Sequence, residues 1–209
     1  MARVKGVSKN PEQARQKIID SALKAFGKHG YSSASTEQIA ERAGYSQATI
    51  FFHFKTKAGL LKACLEEART RAWGSLPDTA HLGVLDLVKR LDDRFEDPVI
   101  AAFFSKLMIE NRTSSTFRPI YASYHAHIRN MIRDEIVRET AASAKDALQA
   151  AGSILCMLMG VHGSYTIESE LFSRTDYSAM LLKNAQLIID DLRQRAPKGA
   201  AARTAATPR

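Results

Sequence analysis

The chain reads as all-α: a three-helix headpiece with a helix-turn-helix at its N-terminal end, then a larger helical domain, about nine helices in total. Three observations predict this. Apolar residues recur three and four apart through most of the 209 residues, and no stretch alternates convincingly as a strand. Residues 35 to 57, STEQIAERAGYSQATIFFHFKTK, place two short helical patterns on either side of a single glycine.

Taken in order, Arg3, Lys5 and Lys9 make residues 1 to 10 a basic arm, which either follows phosphates or serves as a solubilising tail. Residues 15 to 30 then place Ile18, Ile19, Ala22, Leu23 and Phe26 on one helical face, with Gly30 as the stop. Ser35 is the next cap. Its hydroxyl accepts from the free amides of a helix starting near Thr36, and Gln38 is spaced to reach back. Ile39, Ala40 and Ala43 form that helix's apolar side, Gly44 supplies the left-handed residue that ends it, and Ser46 caps the helix that follows at once.

That following helix, over 46 to 53, buries Ile50 and leaves Gln47, Ala48 and Thr49 as a small polar surface that fits a DNA groove. Gln pairs bidentately with adenine, Thr hydrogen-bonds a base or a phosphate, and Ala lets the helix backbone come close. His53, Lys55 and Lys57 suit phosphates. Charge is concentrated on the same segment: residues 1 to 62 hold eleven Lys or Arg against four Asp or Glu, whereas residues 63 to 195 hold sixteen against eighteen. A DNA complex of such a headpiece weakens steeply with salt, with a log-log slope of about −0.9 per neutralised phosphate.

The next segment, 63 to 195, is long enough for a core of its own. Residues 77 to 81, PDTAH, read as a break. Helices follow over 97 to 110, with Ile100, Phe103, Phe104, Leu107 and Met108 on one stripe, and over 117 to 137, with Phe117, Tyr121, Tyr124, Ile128 and Met131 on another. Pro98 and Pro119 sit at their starts. Residues 143 to 167 are the most apolar, and their charge-free centre, Ala150 to Val161, falls short of the roughly 20 residues of a membrane span. Ile154, Leu158, Val161 and Tyr165 lie on one side of this helix and Gly152, Cys156, Met159, Gly160 and Gly163 nearly opposite, a pattern expected to be buried all round. A last helix over 176 to 195 carries Leu181, Leu182, Ala185, Ile188, Ile189 and Leu192, and residues 196 to 209 lack the large apolar residues a fold needs, so a disordered basic tail is expected.

Residues 15 to 61 together resemble the N-terminal domain of the TetR/AcrR family of one-component transcriptional regulators. The resemblance rests on Ile19, Ala22, Phe26, Gly30, Tyr31, Ile39, Ala40, Ala43, Gly44, Ser46, Thr49, His53, Phe54, Lys57, Leu60 and Leu61. It implies domains at 11 to 62 for DNA and 63 to 195 for effector binding and dimerisation, a recognition helix in the major groove, and a phosphate contact from Lys57. It also implies a cytoplasmic, nucleoid-associated homodimer whose last two long helices form a four-helix bundle, and a repressor released from a palindromic operator by a small molecule. DNA contacts are therefore expected from Ser35, Thr36, Ser46, Gln47, Ala48, Thr49, Phe51, His53, Lys55 and Lys57. Departures fall at Phe51, where the family usually has Tyr, at Thr36, where an apolar residue is usual, and at Ala58 and Gly59, which replace an acidic pair and leave weaker capping after Thr56.

The effector pocket is expected among Trp73, Phe103, Phe104, Met108, Tyr121, Tyr124, His125, Met157 and His162, whose apolar bodies and few polar tips suit an apolar or aromatic ligand. The dimer interface is expected at Gly152, Cys156, Met159, Gly160, Gly163, Leu181, Ala185, Ile188 and Leu192, because glycines on one helix face admit a close neighbour.

Other classes find little support in the residues. His125 and His127 are two apart and fall on different sides of a helix, so they make no chelating pair, and no metal or cofactor site is specified. No glycine-rich phosphate loop, HExxH or GxSxG is present, and Asp92, Asp93, Asp190 and Asp191 read as solvated surface. Cys64 and Cys156 lack CxxC spacing, which suits a reduced compartment; Cys156 beside Met159 leaves a redox or soft-metal sensor as an alternative. No apolar run follows the N-terminal cations, so no signal peptide is expected. The remaining alternative is an architectural protein that binds DNA through charge alone.

Overall fold

The computed structural model describes residues 10–73, 82–110, 117–168 and 170–195. Among them are nine α-helices, one 3-10 turn and no strand: α1 (Pro11–His29), α2 (Thr36–Ala43), α3 (Gln47–Phe54), α4 (Lys57–Trp73), α5 (Val84–Asp93), the turn Arg94–Glu96, α6 (Pro98–Glu110), α7 (Phe117–Thr140), α8 (Ala144–Glu168) and α9 (Arg174–Arg195). The break expected at 77 to 81 and the arm and tail at either end lie outside the described residues.

The helices group into two compact units, residues 1–74 with 94–124 and residues 75–93 with 125–209. This differs from a division at 62. The reason is packing in the first unit, where α6 crosses α1 so closely that a Cβ on Gly27 would meet the backbone of Phe103 and Ala102 at 3.0 and 3.2 Å. Phe26 and Phe103 pack ring to ring at this crossing, 6.4 Å between centroids, and both are wholly buried. The start of α7 joins them through Phe117, which stands 5.9 Å from Tyr31.

Within the first unit, α1 starts four residues before the apolar pattern does. Asn10 accepts from the Gln13 amide at 3.1 Å and Pro11 takes the first turn, where its missing N–H costs nothing. Ile18, Ile19, Ala22, Leu23 and Phe26 fill the core as their spacing predicts, together with Ile39, Ile50, Leu60 and Leu61. Burial of a side chain of this size contributes about 1.5–3 kcal/mol. The buried Ser21 hydroxyl donates to the Ile39 carbonyl at 3.1 Å and fixes α2 against α1.

In the second unit, α8 packs against α9 and α5 through Ala147, Ala151, Ile154 and Leu158, all wholly buried. The expectation that α8 is buried all round does not hold. Cys156 and Gly160 are exposed, and a Cβ added to Gly152, Gly160 or Gly163 would meet nothing within 4 Å. By length and composition the 22 residues Ala144–Tyr165 would suffice to cross a membrane. The charge-free centre alone is shorter than a span, and the helix lays its Ala147, Ala151, Ile154 and Leu158 face inside the unit. Asp92 also departs from expectation: it is 1 % exposed, and Arg174 and Ser178 of α9 both donate to its carboxylate at 2.5 Å. Asp93 does remain at the surface, paired with Lys89 on its own helix.

Candidate nucleic-acid interface and effector site

Two capped helices position the groove-facing residues. Ser35 accepts from the Gln38 amide at 3.4 Å, Gly44 ends α2 in the left-handed region at φ 83°, and Ser46 accepts from the Thr49 amide at 3.3 Å. Tyr45 donates to the Ala40 carbonyl at 2.9 Å, which closes the turn and leaves only three residues between α2 and α3. Gln47 and Ala48 are exposed at the start of α3, with Thr49 partly covered and Ile50 facing the core.

These side chains are already engaged with one another. Gln47 Nε2 donates to Thr36 Oγ1 at 2.7 Å, and the Ser46 and Thr49 hydroxyls share a 3.0 Å hydrogen bond. Thr36, one of the departures, thus holds the amide of Gln47 across the helix-turn-helix. An apolar residue there would leave Gln47 free to rotate. We expect Thr36→Val to keep the fold and relax base preference opposite Gln47, measured as the ratio of affinities for DNA duplexes differing at single positions, with each affected position losing part of the roughly 1–3 kcal/mol that a bidentate contact discriminates.

Phe51 is 41 % exposed and Phe52, which the sequence reading passed over, 66 %. Phe52 packs edge-on against His53 at 5.1 Å and under the Lys55 ammonium at 5.8 Å, so α3 ends in an aromatic and basic corner. Lys55 leaves the helix at φ 63°, unusual for a residue with a side chain. The chain then turns sharply into α4. Capping there is better than expected: Thr56 Oγ1 accepts from the Gly59 amide at 2.9 Å, and the place of Gly59 is explained by the Phe54 carbonyl oxygen, with which any Cβ would collide.

Lys57 is half-buried. Its ammonium lies 4.8 Å from the centre of the Tyr31 ring and donates to the Ser32 carbonyl at 3.1 Å. Burial lowers its pKa, and the charge of Glu110 opposes that shift. Glu110, at the end of α6, accepts from the Tyr31 and Ser32 amides at 2.5 and 3.2 Å. Neither Glu110 nor Tyr31 stands out in sequence as part of the site, because their relation to Lys57 exists only across 53 and 26 positions of chain.

The expected pocket residues divide. Phe103, Phe104, Tyr121 and Tyr124 come together in the first unit, where Phe104 stacks on Tyr124 at 5.7 Å, meets Phe103 at 5.3 Å and meets Phe95 at 5.8 Å, and Met108 is half-buried on the same helix as Phe104. His125 and the buried His162 belong to the second unit. Met157 does not join them: it lines an open groove between α8 and α9, with Gln149, Ser153, Asn184 and Leu187. Trp73 closes α4, and its side chain lies outside the described residues.

The aromatic cluster contains a cation that the sequence reading missed. Arg94 is 5 % exposed, its guanidinium carbon sits 4.7 Å from the Phe95 ring centre and 4.6 Å from that of Phe104, and Nη1 donates to the Tyr124 hydroxyl at 3.1 Å. In the sequence it stands in RLDDRFED, a run of charges that reads as surface. Burial raises the pKa of Tyr121 and Tyr124, with the Arg94 charge opposing it, so both hydroxyls stay protonated at neutral pH.

Some expected interface residues are used up inside their own unit. Met159, Leu181 and Ala185 are 8 %, 1 % and 0 % exposed, because they face the packing of α8, α9 and α5. Ile188 and Leu192 border the α8–α9 groove. Leu187, in the lining of that groove, is 59 % exposed, and Leu148 of α8 and Met180 of α9 are exposed as well.

An all-α domain whose second and third helices form a tight, doubly capped helix-turn-helix, basic and with small polar residues at the start of the third, defines a DNA-reading headpiece. Residues 18–64 match the family described as "Bacterial regulatory proteins, tetR family". Over these residues the chain is similar to the DNA-binding domain of that family.

Among its relatives, an uncharacterised HTH-type transcriptional regulator of Bacillus subtilis, YvkB, is 39% identical over 64 residues, 31% of this chain and 34% of that protein. The HTH-type transcriptional repressor AcnR of Corynebacterium efficiens is 26% identical over 128 residues, 61% of this chain and 66% of the relative, so the chain spans under two thirds of either protein. In fold, the chain is similar to a Rhodococcus sp. structure assigned as a TetR-family transcriptional regulator, with a TM-score of 0.70 at 22% identity over 85% of this chain and 99% of that one. The matched relatives are regulators rather than enzymes.

Proposed function

We propose that the protein is a ligand-responsive transcriptional repressor that reads a palindromic operator as a homodimer in the bacterial cytoplasm and is released when a small apolar or aromatic effector binds its helical domain. The observation that carries this reading is the exposed Gln47–Ala48 surface, held by caps on both helices within the family-matched segment. Ser46, Gln47, Ala48 and Thr49 face the bases. Ser35, Thr36, Phe51, His53, Lys55 and Lys57 flank them toward the phosphates, with Lys57 exchanging its Ser32 bond for a phosphate oxygen.

The test separates the two kinds of contact. Lys57→Ala should weaken binding to all duplexes alike and reduce the salt slope by about one, while Gln47→Ala should change which sequence is preferred. Losses from Gln47→Ala that are equal on every duplex would contradict the assignment of α3 as the reading helix.

Dimerisation through α8 and α9 follows from what their outer faces leave uncovered: the Gly152, Gly160 and Gly163 surface with room for another backbone, and a groove edged by Leu187 and Ile188. Two recognition helices about 34 Å apart then meet successive major-groove turns of one DNA face. We expect Leu187→Glu to sediment as a monomer at micromolar concentration and to lose operator affinity. A monomeric parent protein that still binds operator tightly would contradict the dimer.

The switch requires the effector to favour one arrangement of the recognition helices through differential affinity. A continuous series of ring contacts within the first unit supports such coupling: Lys57 on Tyr31, Tyr31 on Phe26, Phe26 on Phe103, Phe103 on Phe104, and Phe104 on Tyr124. The Glu110 carboxylate, which ties the end of α6 to the turn below Lys57, supplies a second link.

A further inference from the structure

We propose that Arg94 is the anchor for an acidic effector: a small molecule with a carboxylate head and an aromatic or aliphatic body, seated against Phe104, Tyr121 and Tyr124. This deepens the ligand-responsive reading above and rests on it. Arg94 is a permanent cation at 5 % exposure, since a guanidinium does not lose its proton in a protein. Among the described residues no carboxylate lies within 4 Å of it, although two other arginines of the same unit find one: Arg69 pairs with Glu66, and Arg71 with Asp20, Glu67 and Asp97.

Its hydrogen bonding is incomplete as well. The Tyr124 hydroxyl takes one proton from Nη1, and the buried Nε–H has no acceptor. The two phenyl faces at 4.7 and 4.6 Å soften the isolation of the charge but accept no hydrogen bond in its plane. What is missing is an anionic acceptor with two oxygens, and a carboxylate matches the guanidinium fork edge to edge. Tyr121 and Tyr124 do not supply that anion, being neutral phenols at the pH of the cell. The walls decide the rest of the ligand. Phe104 and Tyr121, only 1 % and 4 % exposed, make the surroundings of Arg94 aromatic, which suits a ligand with an apolar body better than a bare inorganic anion.

The same residues place the site where it can act. Arg94 lies directly on Phe104, and Phe104 and Phe103 are consecutive on α6, whose far end holds the turn beside Lys57 through Glu110. An anion drawing Arg94 toward itself would change the packing of α6 against α1 at Gly27, where a Cβ would stand only 3.0 Å from the Phe103 amide nitrogen.

The test is thermal melting and calorimetry of the full chain without DNA, using 2-naphthoate and cyclohexanecarboxylate beside their neutral amides. Because DNA is absent, the outcome does not depend on operator recognition. Each carboxylate should raise the melting temperature and bind roughly tenfold or more tightly than its amide, the difference a charged hydrogen bond makes. Arg94→Met should abolish that difference, and Tyr124→Phe should reduce it. Ligand-free Arg94→Met should melt at or above the parent, since it strands no internal carboxylate. Amides binding as well as acids, no carboxylate exceeding its amide, or a fall in the melting temperature of Arg94→Met as large as that of a broken ion pair would each overturn the proposal. The last result would place the counter-ion of Arg94 within the chain.

Discussion

Asp92→Ala is expected to cost the protein about 3–5 kcal/mol, the loss that follows when one member of a buried ion pair is removed and the other stays behind. Arg174 would be the stranded partner. Its side chain is 17 % exposed, it now donates to both the carboxylate and the backbone carbonyl of Asp92, and its Nε already lacks an acceptor. Ser178 would lose its acceptor too. The bond joins the end of α5 to the first turn of α9 across 82 residues of chain, so its loss should loosen the second unit in particular. In thermal unfolding the shift should be on the order of 10 °C for a chain of this size. Asp93→Ala, one residue along, should change stability by no more than about 0.5 kcal/mol, because its partner Lys89 is an exposed neighbour on the same helix. Equal effects at the two positions would show that the buried pair is not what holds α5 to α9.

Gly59→Ala should be destabilising, although an alanine in the first turn of a helix ordinarily gains up to about 1 kcal/mol over glycine. The sign reverses because the added Cβ would collide with the Phe54 carbonyl oxygen, a backbone atom that cannot swing away. That oxygen already accepts from the Thr56 amide at 2.7 Å. Relief therefore requires the turn of Lys55 and Thr56 to open, and the expected cost is about 1–3 kcal/mol, as for other forced overpacking. The same turn aims Lys55 and Lys57, so affinity for DNA should fall on the order of tenfold, the equivalent of one lost charged hydrogen bond. Ala58→Glu makes the useful comparison. It restores an acidic residue to the helix start without touching the carbonyl, and should stabilise by a few tenths of a kcal/mol. Chemical denaturation of the two variants separates the explanations: a stabilised Gly59→Ala would mean the glycine is merely a weak helix former.

The headpiece was legible in the sequence because its determinants are local. Caps at Ser35 and Ser46, the stop at Gly44 and the apolar faces around Phe26 and Ile39 are each written within a few residues of where they act. The features that escaped are contacts between distant segments. Asp92 and Arg94 sit in one run of charges, and nothing in that run distinguishes a buried acid or a buried guanidinium from a solvated one. Their partners, Arg174 and Tyr124, are 82 and 30 residues away. The α8 pattern is ambiguous for a related reason. Small residues weaken any hydrophobic asymmetry, so the pattern of Gly152, Gly160 and Gly163 does not say whether a neighbour in the same unit or a second copy covers them; within the unit nothing does. Periodicity on α9 placed Leu181 and Ala185 correctly on an apolar stripe, but a stripe does not say whether its partner belongs to the same unit or to another subunit.

The central claim is that residues 35 to 57 read a particular DNA sequence. The most direct measurement selects bound fragments from a random genomic library and then compares affinities for the recovered site and for unrelated duplex at physiological salt. The expected result is a palindromic site held about 10³-fold or more tightly than random DNA. Similar affinities for both would contradict it and leave a protein that binds DNA through the charge of its headpiece alone.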